Sequence, residues 1–297
     1  LKAKESLGIV GESGCGKSTL AKMLAGLITP SSGEIKIQDK DINNYEKYEL
    51  PNHIQYMFQD PISSLNPRKT IYQSLAAPLK YLRNLDEKEI EKEIKSIIKE
   101  VSLKEEFLNR FPHEFSGGQA QRIGIARVLL SKAKIIILDE PVSALDVSIR
   151  AQIMNLLVDL QEQHGLAYLL VAHNLATVRY MCHTMAVMYL GVVQEMGDTE
   201  RIFEDPKHIY TNALVSAALP SHPDIVRSEF LLPGEVVSPI DPPPGDVFMS
   251  RTPLEVDSNH KWANERPPLV ELETDHWVVD TPWSIATEES GFKVELK

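Results

Sequence analysis

Two hydrophobic periods run through the chain. Compact apolar runs at Ser6–Val10, 135–138 and 167–172 predict short buried strands, and the β-branched run 135–138 has the pattern of a parallel strand covered on both faces. Residues 35–37 and 54–58 read as further short strands. Elsewhere the 3.6-residue period takes over. Ile90, Ile94, Ile97, Ile98 and Val101 share one helical face, as do Ile149, Ile153, Leu156, Leu157 and Leu160 within a helix predicted over 148–164. A helix is also expected over 17–27, stopped by Thr29-Pro30-Ser31-Ser32-Gly33. Between about 60 and 131 the pattern is mainly helical, and Thr184–Tyr189 with 192–196 predicts a hairpin around Gly191. Strands alternating with helices argue for an α/β sheet.

Composition changes toward the end of the chain. Twelve of the 19 prolines lie in residues 206–297, which also hold 7 basic and 15 acidic residues, a balance of −8 within the total of −11. We therefore expect an α/β domain over 1–205, with its helical part at about 60–131, and an acidic extension over 206–297 built from short strands and turns. The net negative charge argues against a broad nucleic-acid surface. A hydrophobic fraction of 43% and a charged fraction of 25% are ordinary for a soluble globular protein. Two cysteines, Cys15 and Cys182, give no disulfide framework. Cys15 is expected near a helix N-terminus, which favours a thiolate, unless it is simply a small residue fitting the loop. No apolar run approaches the ~18–20 residues of a membrane-spanning helix, and no signal peptide is visible. The chain opens at Leu1 almost on a strand, so the native N-terminus is expected to lie upstream.

The candidate chemistry sits at the strand ends. Gly11-Glu12-Ser13-Gly14-Cys15-Gly16-Lys17-Ser18 fits a phosphate-binding loop between a strand and a helix. Its glycines let backbone amides approach an anion, Lys17 reaches the β- and γ-phosphates, Ser18 ligates Mg²⁺, and Thr19 is a further phosphate contact. Asp139 ends an apolar strand, as expected of an aspartate that holds Mg²⁺, and Glu140 is placed to act as general base on water. Gln59, following the strand at 54–58, is a candidate sensor of metal and attacking water. His173, beyond the strand at 167–172, is a candidate γ-phosphate ligand. Ser116-Gly117-Gly118-Gln119 opens a helix expected to run to about 131, and so offers amides and a dipole to a second anion. The first loop already serves one phosphate group, so the natural ligand of this second element is a nucleotide carried by another chain.

Taken in order, the phosphate loop, Gln59, Ser116–Gln119, Asp139-Glu140, Ser143-Ala144-Leu145-Asp146 and His173 resemble the ATP-binding cassette of ABC transporters. Phe58-Gln59-Asp60-Pro61-Ile62-Ser63-Ser64-Leu65-Asn66-Pro67-Arg68 is similar to the corresponding loop of the oligopeptide/dipeptide importer subfamily. The segments Pro112-His113-Glu114-Phe115-Ser116-Gly117-Gly118-Gln119 and Asp139-Glu140-Pro141-Val142-Ser143-Ala144-Leu145-Asp146-Val147-Ser148-Ile149 resemble its "F"-type ATPase subunit. The likeness is strong over about 5–215 and weak in the tail, through Pro233-Gly234-Glu235-Val236-Val237-Ser238-Pro239-Ile240.

The resemblance implies a P-loop NTPase with a RecA-like core and an ABC helical subdomain, hydrolysing ATP with Mg²⁺. Asp146 would cross a dimer interface and His173 would be the switch histidine. It also implies a second ABC ATPase subunit, two transmembrane permease subunits, an extracytoplasmic substrate-binding protein, and a peripheral place on the cytoplasmic face of the cell membrane. Three departures accompany it. The residue that stacks on adenine is expected upstream of Leu1. Asn174 replaces the usual aspartate after the switch histidine. Asp246, Thr252, Trp262 and Asp280 stand where many relatives carry tail cysteines, so no iron–sulfur cluster is expected. The cargo stays open among oligopeptides, dipeptides, nickel, glutathione and oligosaccharides. A soluble ABC ATPase of translation or DNA maintenance and a non-hydrolysing binding module are the alternatives.

Overall fold

The computed structural model describes residues 1–46, 48–218, 232–233, 238 and 240–285. Residues 234–237 and 239, which carry most of the tail resemblance, lie outside the described residues. The chain divides into two compact units that interleave in sequence. One comprises Leu1–Glu5 and Ser18–Val171, the other Ser6–Lys17 and Ala172–Lys297. Strand β1 (Ser6–Val10) and helix α1 (Lys17–Leu24) flank the glycine-rich loop. Helix α1 stops at Leu24, three residues short of the expected end. Gly26 takes a left-handed φ of 70°, and the amides of Gly26 and Leu27 donate back to Met23 and Lys22 carbonyls, the paired bonds of a Schellman cap. Glycine chemistry ends this helix before the Thr29–Gly33 breaker is reached.

In the unit holding Ser18–Val171, a two-residue ladder joins β2 (Lys36–Ile37) to β3 (Lys40–Asp41). Three parallel strands follow, β4 (Ile54–Met57), β5 (Ile135–Asp139) and β6 (Ala167–Val171), with Tyr56 opposite Ile137 and Asp139 opposite Val171. The crossover from β4 to β5 holds α2 (Ile71–Tyr81), α3 (Glu87–Glu100) and α4 (Gly117–Leu129), and α5 (Val147–His164) connects β5 to β6. The predicted apolar face of α3 is realised: Ile90, Ile94, Ile97 and Ile98 are buried while Glu87, Lys88, Glu91, Lys92 and Lys95 face water. Asp86 and Glu89 form a reciprocal capping box that starts this helix. Strand β5 has the two-sided burial its β-branched run predicts, with Ile136, Ile137 and Leu138 at most 2% exposed. Each such side chain contributes roughly 1.5–3 kcal/mol through burial.

In the other unit β1 runs parallel to β7 (Thr184–Tyr189), which turns at Leu190-Gly191 into antiparallel β8 (Val192–Asp198). Positive φ at both turn residues, 43° and 82°, matches the tight hairpin expected around Gly191. Helices α6 (Leu175–Met181), α7 (Thr199–Glu204) and α8 (Ile209–Ala218) complete this part. The tail supplies β9 (Leu269–Glu273) and β10 (His276–Val279); β10 pairs with β9 and, on its other side, with β8. An aromatic cluster of Tyr189, Tyr210, His208 and Phe248 holds strand, helix and tail together, with ring centroids 5.0–5.9 Å apart. Asp246 accepts from the Trp283 indole at 2.6 Å and donates its amide to the Trp262 carbonyl at 2.8 Å, while the Thr252 hydroxyl donates to the Trp283 carbonyl. Two of the four positions singled out for replacing tail cysteines, Asp246 and Thr252, thus meet at the buried Trp283, and Trp262 joins them through the Asp246 amide.

Candidate nucleotide site

The loop between β1 and α1 wraps its own lysine. Lys17 Nζ, 6% exposed, lies 2.8 Å from the Gly11 carbonyl, 2.9 Å from the Glu12 carbonyl and 3.7 Å from Cys15 Sγ. None of these three partners cancels the ammonium charge. Burial pushes the Cys15 thiol above its usual range, against the opposing pull of Lys17, so the thiol stays neutral instead of becoming the reactive thiolate a helix terminus can produce. Gly11 is required by close approach. At its φ of 152°, a Cβ would stand 2.1 Å from the Met188 carbonyl oxygen. Gly14 and Gly16 also take positive φ, and Ser13, Gly14 and Thr19 are exposed. Glu12 is different from its neighbours: its amide donates to the Tyr210 hydroxyl at 3.0 Å and its carboxylate accepts from Arg251 at 2.7 Å.

In the other unit, parallel strand ends bring the acidic groups together. Asp139, 7% exposed, accepts from the Ser18 hydroxyl at 3.0 Å through Oδ1 and from the Tyr56 hydroxyl through Oδ2. Burial and the neighbouring carboxylate push the Tyr56 phenol far above its usual range, so it stays protonated and donates. Glu140 follows with a left-handed φ of 48°, a conformation that costs a residue with a side chain on the order of 1–3 kcal/mol. Local bonds hold it there: its amide donates to the Val171 carbonyl at 2.9 Å, and its carbonyl accepts from Ser143 Oγ at 3.2 Å. Gln59 Nε2 donates to Glu140 Oε2 at 2.8 Å and lies 3.4 Å from Ser143 Oγ. Ser18, Asp139, Gln59 and Glu140, four of the expected residues, therefore meet as two adjoining pairs.

His173 is exposed between β6 and α6, two residues beyond the Val171 that pairs with Asp139. Asn174 caps α6 by accepting from the Ala176 amide at 2.9 Å, a role its amide oxygen fills as a carboxylate would. Ser116 is the N-cap of α4 and forms a capping box with Gln119, leaving Ser116 and Gly117 exposed. At Gly118 a Cβ would stand 2.6 Å from Ile149 of α5, so only glycine permits this approach of the two helices. The segment after Gln59 packs on the same helix: Arg127 donates to the Ser64 carbonyl at 3.0 Å, and Pro61 lies against Gly124. Asp146 is the exposed N-cap residue of α5, its side chain makes no capping bond, and Val147 beside it is 80% exposed.

The donor set fits the expected ligands. The Ser18 hydroxyl and Asp139 carboxylate are hard oxygen donors of the kind Mg²⁺ takes, and the loop joins an uncancelled ammonium to a helix N-terminus. Among the described residues no group of three or more His, Cys, Asp or Glu side chains is arranged to hold a metal by itself.

Sequence reasoning missed Tyr56, Tyr210 and Arg251. The first had a signal: Tyr56 is in register with Ile137, two residues before Asp139 and therefore on the same strand face.

Comparison with known proteins identifies the family. A family model described as "ABC transporter" matches residues 1–143. The chain is 46% identical over 284 residues to the oligopeptide transport ATP-binding protein OppF of Haemophilus influenzae, covering 94% of this chain and 85% of that protein. It is 44% identical over 254 residues to the dipeptide transport ATP-binding protein DppF of Escherichia coli, covering 84% and 76%. Among solved structures, cbiO1 of Clostridium perfringens, part of an ABC transporter complex, superposes with a TM-score of 0.62 at 33% identity over 68% of this chain and 80% of that one. A dimeric bacterial ABC transporter cassette gives 0.61 at 31% identity over 67% and 87%. The chain belongs to the ABC transporter family, among the ATP-binding proteins of oligopeptide and dipeptide transport.

Proposed function

We propose that this chain is the subunit that binds and hydrolyses ATP to energise import of oligopeptides or dipeptides, at the cytoplasmic face of a membrane. The observation that carries the reading is the adjoining of the Ser18–Asp139 and Gln59–Glu140 pairs. Amides of residues 11–19 and the Lys17 ammonium bind and orient the triphosphate. Ser18 and Asp139, with Gln59, would hold Mg²⁺, which would supply positive charge against the phosphates. Glu140 accepts a proton from the water that attacks the γ-phosphorus, as the bond from that phosphorus to its bridging oxygen breaks and ADP leaves. Such a base typically contributes ~10²–10⁴-fold to the rate. His173 steadies the γ-phosphate.

Ser116–Gln119 serve the nucleotide of a second ABC ATPase subunit, since their exposed helix start has anion-binding character that the chain's own loop already supplies elsewhere, and Asp146, by the family resemblance, crosses to that subunit. Two transmembrane permease subunits would receive the stroke through the segment after Gln59, and an extracytoplasmic binding protein would deliver cargo. No helix among the described residues is long and apolar enough to cross a membrane, in keeping with a peripheral subunit. The test is copurification from solubilised membranes together with phosphate release. Permease partners and Mg·ATP hydrolysis are expected; ribosomes or DNA in their place, or an inert complex, would overturn the reading.

A further inference from the structure

Glu12 is tethered by three side chains, two of which come from far along the chain. Its carbonyl accepts from Lys17 Nζ, its amide donates to Tyr210 of α8, and its carboxylate accepts from Arg251 Nη1. Arg251 closes the short 3-10 turn Met249–Arg251 of the tail, is 7% exposed, and stands 5.7 Å from the centre of the Tyr189 ring. The Tyr189 ring in turn packs edge to face with Tyr210 and with Phe248, so arginine and tyrosine are presented from one packed cluster.

The charge arithmetic explains why such a tether matters. A bare carboxylate in a loop that receives a polyanion repels it, with an energy that grows as distance and local dielectric fall. Pairing with a guanidinium cancels that charge and fixes the side chain away from free rotation. The same residue carries the carbonyl that Lys17 leans on, so its position also sets where the ammonium waits. We propose that the C-terminal extension forms part of the nucleotide loop, with Arg251 as a positioning residue that neutralises Glu12 and, together with Tyr210, fixes the loop for ATP. This rests on the ATPase reading above and adds a function for the tail.

The test is Mg·ATP affinity of the full chain, measured by titration alongside thermal melting. Arg251→Gln is expected to weaken binding about tenfold, the scale of one lost charge-assisted bond. Adding Glu12→Gln in the same chain recovers most of that loss, because the uncancelled carboxylate is then gone. A merely structural arginine would show no such recovery. Arg251→Lys, which keeps the charge without the fork, binds within about threefold of the parent chain. Should Arg251→Gln fail to fold, the double variant and Arg251→Lys decide the matter by the same affinities. Unchanged affinity in Arg251→Gln, or equal losses in single and double variants, overturns the proposal. Lys17→Ala, measured beside them, separates the two ideas. If it loses binding while Arg251→Gln does not, the tail inference alone fails; if the parent chain binds no Mg·ATP, the ATPase reading fails first.

Discussion

The strand-end cluster and the helix-start edge differ in how they satisfy their own polar groups. At the strand ends Asp139 is buried and bonded to Ser18 and Tyr56, and Glu140 is clamped by Val171, Ser143 and Gln59. At the helix starts Ser116, Gly117 and Asp146 are exposed, Asp146 caps nothing with its side chain, and the apolar Val147 stands in water. The first region is finished within the chain; the second presents donors and an apolar side chain that one chain alone leaves open. On the reading proposed above, such a chain loads nucleotide alone but acts on it with a companion.

Four substitutions press on that contrast, in falling order of effect. Glu140→Gln keeps the side chain's length and its bond to Gln59 but removes the base, so hydrolysis should fall by ~10²–10⁴ while ATP affinity holds. Phosphate release at the parental rate would remove Glu140 from the chemistry. Lys17→Ala should weaken ATP binding about 10–100-fold, from the loss of charge-assisted bonds, as read by equilibrium titration. Gly118→Val is the reciprocal probe. Its side chain meets Ile149 and should displace the start of α4 at a cost of about 1–3 kcal/mol, lowering ATPase turnover and nucleotide-driven association but not single-chain ATP binding. Full association and turnover in this variant would mean the helix-start edge is idle. Tyr56→Phe takes one donor from Asp139 and should cost about 1 kcal/mol, seen as a modest melting shift and a higher Mg²⁺ requirement for hydrolysis. An unchanged Mg²⁺ titration would make Tyr56 only a packing residue.

Local chemistry explains what could be read in advance. The phosphate loop, the β-branched strand before Asp139 and the isoleucine face of α3 each encode their structure within a few residues, where spacing is informative. The early stop of α1 was also local, but Gly26 was overshadowed by the stronger breaker at Thr29–Gly33. Strand 35–37 reduced to Lys36–Ile37, because its ladder partner among the described residues is a two-residue strand. Long-range pairs were invisible for a different reason. Arg251 and Glu12 are 239 residues apart, and nothing in either neighbourhood marks the other. Tyr56 was hidden inside an apolar strand, where a phenol looks like one more core side chain until its register with β5 is known.

Strand β10 lies along β8, pairing Trp277 with Met196 and Val278 with Glu195. A version trimmed after residue 205 would bare a row of backbone donors and acceptors, and such open edges recruit other chains. The minimal fragment that keeps every motif would therefore be the wrong one to express: it would clump in a crowded cell before it ever met a membrane.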